Sequence, residues 1–214
     1  MEILEEISGL LQRGRSPKVK ELVQQALSEG IAPKKILEEG LLSGMSIVGE
    51  KFKKNEVFVP EVLVAARAMN AGVEILRPYL MAAGVAKKGT AVLGTVKGDL
   101  HDIGKNIVKM MLEGKGLEVI DLGVDVAAEL FIEKAIEYNA NVICCSALLT
   151  TTMMEMKVVV EKAKEAGIRD KVKIMVGGAP ITQEFCAEIG ADYYTPDGAS
   201  AADVALKICL GEAV

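Results

Sequence analysis

A single histidine, His101, stands where an apolar run gives way to an amphipathic stretch, in Gly94-Thr95-Val96-Lys97-Gly98-Asp99-Leu100-His101-Asp102-Ile103-Gly104. Histidine titrates near neutral pH without help and is the commonest side-chain metal ligand. Asp99, two residues earlier, can accept a hydrogen bond from one ring nitrogen and leave the other free for a metal, as carboxylates behind ligating histidines do. The pair is therefore a candidate ligand with its orienting group. Two further segments carry polar or featureless positions after apolar runs. Ser146-Ala147-Leu148-Leu149-Thr150-Thr151-Thr152 supplies hydroxyls able to donate to an acceptor such as Asp99, and Gly177-Gly178 removes side chains where a bulky ligand would need the backbone.

Those segments need a scaffold that brings them to one edge. From Thr90 onward, short apolar runs (91–96, 118–122, 142–146, 173–176 and 192–194) alternate with amphipathic stretches of helical length. This is the rhythm of an α/β fold with a five-stranded parallel sheet and helices on both faces. Right-handed crossovers favour the strand order 2-1-3-4-5, with ligands bound beyond the carboxyl ends at the switch between the first and third strands. The loops after strands one, three and four are the three segments above, so they are expected to form a deep, narrow cleft with His101 at its mouth. Neither a G-x-G-x-x-G nor a P-loop string occurs, which removes the usual cradles for a dinucleotide or a nucleoside triphosphate.

The preceding part reads as all helix. Apolar residues recur at three- and four-residue spacing in Ile3–Leu11, Val19–Leu27, Ile36–Leu41 and Val62–Leu80. Ser16-Pro17, Pro33 and Pro60 are placed as helix starts and Gly14 and Gly30 as stops. Four helices with brief connections predict a small bundle ending near residue 84. The predicted domains are residues 1–88 and 89–214.

Composition narrows the partners. Half of the 214 residues are hydrophobic, enough for a substantial core, and the net charge of −5 is mild. Residues 1–88 carry 13 Lys/Arg against 11 Asp/Glu, and residues 89–214 carry 12 against 19, so the acidity belongs to the second part. No basic cluster interleaved with aromatics points to nucleic acid, and no apolar run reaches the roughly 20 residues of a membrane span. With no signal peptide at its start, the chain is expected in the cytoplasm. Cys144, Cys145, Cys186 and Cys209 lack C-x-x-C spacing and read as buried thiols in a reducing compartment.

The pattern D-x-H-x-x-G (Asp99, His101, Gly104), followed by S-x-L (Ser146, Leu148) and G-G (Gly177-Gly178), resembles the cobalamin-binding domain of methionine synthase and of the corrinoid proteins of methanogenic and acetogenic methyltransferase systems. The helical part is similar to that family's cap, through Gly44–Phe52 and Val57–Glu61. The resemblance implies a flavodoxin-like sheet beneath a four-helix cap, with cobalamin or a related corrinoid as cofactor. His101 would be the lower axial ligand to cobalt in the base-off, His-on mode, supported by Asp99, with Asp102, Ile103 and Gly104 beside it. Thr152 would complete the relay where methionine synthase carries a serine. The nucleotide tail would lie among Ser146, Leu148, Thr150, Gly177 and Gly178, with Pro196, Asp197, Gly198 and Ala199 finishing its pocket. Phe52 and Val59 would cover the upper corrin face.

On this resemblance the chain is expected to carry a methyl group on cobalt, in one-carbon metabolism, from a substrate-specific methyltransferase to a second one serving tetrahydrofolate or a thiol. A reductive activase would be a further partner, and the chain would be no complete enzyme by itself. The alternatives are a coenzyme-B12-dependent mutase small subunit, which would not need the helical cap, and a cobalamin-dependent sensor, for which no basic DNA-binding segment is present. The methyl donor, whether a methylamine, methanol, a methyl thiol, an aryl methyl ether or a betaine, is a property of the partner.

Overall fold

The computed structural model describes residues 2–83 and 87–214, and the chain forms two compact units, Met1–Ala86 and Lys87–Val214. The expected end of the bundle, near residue 84, falls outside the described residues.

The first unit is helical, as its periodicity requires. Helix α1 (Glu2–Gln12) buries Leu4, Ile7 and Leu11, and α2 (Ser16–Ser28) buries Val19, Val23 and Ala26, each along one stripe. Pro17 opens α2 where a missing N–H costs nothing. Beyond Pro33 the structure departs from the simple third helix that the spacing predicts. A short α3 (Pro33–Lys35) runs into a π-helical segment (Ile36–Leu42) and then into α4 (Ser43–Lys53). Buried Ile36 and Leu41 are five residues apart, a spacing that suits the wider π turn. Helix α5 (Val59–Ala82) begins behind Phe58, whose N–H is accepted by the Glu61 carboxylate at 3.0 Å, and runs on through Pro78.

The second unit is the expected α/β fold. Five parallel strands, β1 (Thr90–Thr95), β2 (Glu118–Asp121), β3 (Val142–Ser146), β4 (Lys173–Gly177) and β5 (Tyr193–Tyr194), stand in the order β2-β1-β3-β4-β5. Helices α6 (Ile103–Gly114) and α10 (Gly198–Leu210) pack together on one face, and α7 (Ala128–Glu137), α8 (Glu155–Glu165) and α9 (Gln183–Ile189) line the other. Val92, Ile143, Cys145, Ile174 and Val176 join the core under α7 to α9, so the alternate residues Leu93, Cys144 and Met175, equally buried, point to α6 and α10. Burial on both faces explains why the central strands read as near-continuous apolar runs. Cys144, Cys145 and Cys186 are buried as expected; Cys209 on α10 is only partly so. Asp197 caps α10 by accepting from the Ser200 N–H at 2.8 Å, and Thr182 caps α9.

Candidate corrinoid site

Because all five strands run parallel, their carboxyl ends share one edge. Register places Thr95, Ser146 and Gly177 side by side, with the switch point between β1 and β3. The chain leaves β1 in a turn closed by the Asp99 N–H to the Val96 carbonyl, 3.1 Å, with Gly98 at φ 79°. That positive φ is where a side chain would be strained. The buried Thr95 hydroxyl, 2.8 Å from the His101 carbonyl, ties the far side of the loop back to the strand end.

Asp99 is completely buried and organises the loop. Its Oδ1 accepts from the His101 N–H at 3.1 Å and lies 2.6 Å from the imidazole Nδ1. Its Oδ2 accepts from the N–H groups of Leu148 (2.8 Å) and Leu149 (3.3 Å) and from the Thr152 hydroxyl (2.8 Å). Burial opposes ionisation of this carboxyl. The donors from Leu148, His101 and Thr152 outweigh it and hold the group well below the usual carboxylate range. An ionised carboxylate can only accept, so Nδ1 must carry a proton toward it; in the tautomer this selects, Nε2 is the nitrogen left to bind a metal. Nε2 has no hydrogen bond among the described residues, and the His101 side chain is half exposed. Asp99, His101, the Leu148 backbone and Thr152 thus come together from segments about fifty residues apart.

The loops that carry His101 and the Asp99 donors also expose large apolar side chains. Leu100 and Ile103 are 72% and 70% exposed, and Leu148 and Leu149 are 44% and 40% exposed. Gly104 has no protein atom within 4 Å of where a Cβ would be, so packing within the protein gives no reason for a glycine there. A flat apolar ligand coordinated through Nε2 would cover these leucines and the isoleucine while Gly104 leaves it room. The donor set therefore fits a corrinoid: one imidazole oriented by a buried carboxylate, on loops that expose large apolar side chains. It does not fit a metal ion held by protein ligands alone, since no group of three or more His, Cys, Asp or Glu with ligating geometry occurs among the described residues.

The remaining expected residues divide. Asp102, exposed, is the N-terminal flank of α6 and accepts from the Asn106 amide at 3.1 Å. Ser146 ends β3, and Thr150 is exposed in the loop beyond it. A Cβ at Gly177 would make only ordinary contact, with the Thr195 carbonyl at 3.5 Å. Gly178 has a different cause from the ligand clearance expected of it: at φ 136° a Cβ would sit 1.8 Å from the Ala147 carbonyl, so contact between the two strand-end loops demands glycine. Asp197 and Gly198 are likewise occupied within the protein. Both Asp197 oxygens accept from Ser200, and a Cβ on Gly198 would press on Ile107 at 3.2 Å, where α10 meets α6. Pro196 and Ala199 flank them. Phe52 and Val59 lie in the first unit, at the ends of α4 and α5, both partly buried; Phe58 between them is 61% exposed.

Several participants escape a reading of motifs. Leu100 and Leu149 are large apolar residues in loops, a signal open to notice. Thr95 and Asp125, whose Oδ1 accepts from the Gly98 N–H at 2.7 Å, bond to backbone groups, which no side-chain pattern shows. Lys105, only 2% exposed, donates to Asp121 at 2.6 Å and Asn106 at 2.8 Å, and Lys109 reaches Asp121 at 3.2 Å. A hollow of about 280 Å³ lined by Asn141, Lys173 and Tyr193 lies at the opposite edge, where strands begin, away from all of these groups.

Residues 89–206 match a B12 binding domain, and residues 3–77 match a second family also described as a B12 binding domain. The chain is similar to trimethylamine corrinoid protein 1 of Methanosarcina acetivorans, 48% identical over 88% of this chain and 87% of that protein. It is similar over nearly its whole length to dimethylamine corrinoid protein 2 of the same organism, 45% identical over 99% and 98% of the two. Among solved structures, the methanol:cobalamin methyltransferase complex MtaBC of Methanosarcina barkeri matches with a TM-score of 0.88 at 32% identity, over 98% of this chain and 80% of that one. A cobalamin-binding protein of Desulfitobacterium hafniense matches with a TM-score of 0.79 at 29% identity, over 96% and 98%.

Proposed function

The chain belongs to the family of B12-binding-domain corrinoid proteins, and from that premise we propose that it is the methyl carrier of a methylamine methyltransferase system. The observation that carries the reading is the Asp99–His101 pair, which presents one oriented imidazole nitrogen on loops that expose large apolar side chains. When bound, the corrinoid supplies a cobalt that accepts and releases a methyl group. His101 would hold it from below through Nε2. Asp99 fixes the proton on Nδ1 and, with Thr152, Leu148 and Leu149 as donors, keeps the ring aimed. Leu100, Ile103 and Leu148 would exclude water from the lower face. Ser146, Thr150 and Gly177 would receive the nucleotide tail; Gly178, Asp197 and Gly198 support the loops around it.

The first unit, taken as a separate cap domain, would shield the reactive face with Phe52 and Val59. On this reading the chain carries the group and its partners catalyse. Those partners are a substrate-specific methyltransferase, a second one acting on a thiol or tetrahydrofolate, and a reductive activase. No described helix is long and apolar enough to cross a membrane.

The test is reconstitution with reduced cobalamin, followed by incubation with trimethylamine or dimethylamine and the methyltransferase specific for each. Amine-dependent methylation of the bound corrinoid, read from its absorption spectrum, is expected with one of the two. No methylation with either, while the protein retains cobalamin, would refute the methylamine assignment. Phe52→Ala should speed photolysis of bound methylcobalamin in the full chain, because the cage that returns the methyl radical is opened. An unchanged rate would remove Phe52 from the cover.

A further inference from the structure

The connection from β2 to α7 carries none of the expected site residues, yet it grips the histidine loop at both sides of its turn. Asp125 is one of three non-glycine residues with positive φ among those described, at 54°. Its Oδ1 accepts from the Gly98 N–H at 2.7 Å, and its own N–H donates to the Asp99 carbonyl at 3.0 Å. On either side, the Thr95 N–H donates to Gly123 and the Val126 N–H donates to Thr95, both at 3.0 Å. The connection is rooted by Asp121, which accepts from the Gly123 N–H at 3.0 Å and is pinned by Lys105 and Lys109. A left-handed backbone at a non-glycine residue persists only where its surroundings enforce it, and aspartate is among the residues that tolerate it.

We propose that Asp125 is a positioning residue for the axial histidine, holding the Val96–Asp99 turn so that Asp99 and His101 stay in ligating orientation. The inference rests on the reading of His101 as the cobalt ligand. Gly98 has no Cβ, so by itself its peptide can rotate among several conformations. Each rotation would carry the Asp99 backbone, and with it the carboxylate that aims the ring. The Asp125 carboxylate fixes the Gly98 peptide plane from one side, and the Asp125 N–H fixes the Asp99 carbonyl from the other. Losing the side-chain acceptor should populate misaligned loop states, and the apparent strength of ligation falls with the fraction of competent loops.

Two variants separate positioning from folding. Asp125→Gly removes the acceptor and relieves the positive φ, so the fold is retained; Asp125→Asn keeps a carbonyl acceptor and tolerates the same backbone. In the cofactor-free full chain, amide hydrogen exchange at Gly98 should accelerate in Asp125→Gly and return toward wild type in Asp125→Asn. In chains loaded with cob(II)alamin, the ratio of histidine-coordinated to uncoordinated cobalt, read by electron paramagnetic resonance at fixed pH, should fall roughly five-fold in Asp125→Gly, the scale of one net hydrogen bond. Asp125→Asn should restore it. Faster Gly98 exchange with an unchanged ratio would overturn the inference and leave the histidine reading intact. Unchanged exchange would show that the contact does not hold the turn and would overturn it directly. Absence of histidine coordination in the wild type would overturn the inference together with the reading beneath it.

Discussion

Replacing Asp99 with asparagine keeps the shape of the side chain and removes its capacity to accept on both oxygens. Five donors converge on this fully buried carboxylate: two from His101, and one each from Leu148, Leu149 and Thr152. An amide offers one accepting oxygen, so its NH₂ must face backbone N–H groups whichever way it turns. Turned toward His101, it leaves the His101 N–H unpaired and meets Nδ1, which can accept only if the ring proton moves to Nε2. An unsatisfied buried N–H, together with charged bonds weakened to neutral ones, sums to about 3 kcal/mol of lost stability at pH 7. Urea unfolding of the cofactor-free full chain, followed by circular dichroism, measures it. The sign with pH follows from the depressed Asp99 pKa. Stability from a carboxylate held below its ordinary range is complete above the unfolded value of about 3.9 and is lost as pH falls toward the folded one. The gap between wild type and Asp99→Asn should therefore stay constant from about pH 7 to 5 and narrow by about 1 kcal/mol near pH 3. A gap under about 1 kcal/mol at pH 7, or one undiminished at pH 3, would refute this account of the loop.

Asp121→Asn strands the buried Lys105 ammonium and should cost about 3 kcal/mol in the same assay, whereas Lys105→Met, which removes the buried charge, should cost less than half of that; equal losses would deny the ion pair its role. Burial opposes ionisation of Asp121, but Lys105 and the Gly123 N–H outweigh it, so this pair too should weaken as the chain is acidified below about pH 4. Burial pushes the Cys144 thiol up to about 12 and Cys145 higher still, so iodoacetamide at pH 8 should label Cys209 first and those two only on unfolding, as mass spectrometry will show. Gly178→Ala should destabilise the fold by about 3 kcal/mol or more through its collision with Ala147, while Gly177→Ala should fold normally and lose corrinoid affinity. Gly177→Ala with unaltered affinity would take Gly177 out of the tail site.

Much of the fold was legible because its determinants are periodic or local. The apolar runs of the β1, β3 and β4 regions lie within a residue or two of the observed strands, and crossover handedness leads to the observed order. The Asp99–His101 contact is legible because two residues of spacing nearly guarantee it, and Thr152 because a hydroxyl run follows a buried strand. The π-helical segment was not, since an inserted residue leaves only the five-residue gap between Ile36 and Leu41. A reading of ligand clearance for Gly178 overlooks Ala147, and the neighbour of Gly198 is Ile107; both are contacts that only the folded chain creates. Asp125 was invisible for the same reason, as its partner is a backbone N–H twenty-seven residues away.

The central claim is that His101 binds cobalt, and the presence of one histidine in the chain makes the test unambiguous. Protein carrying ¹⁵N-histidine is loaded with cob(II)alamin, and its superhyperfine splitting is compared with that of the unlabelled protein by electron paramagnetic resonance. A change of each component from a triplet to a doublet on labelling is the predicted result. A triplet that survives the label, or the absence of nitrogen splitting in both samples, would contradict the account.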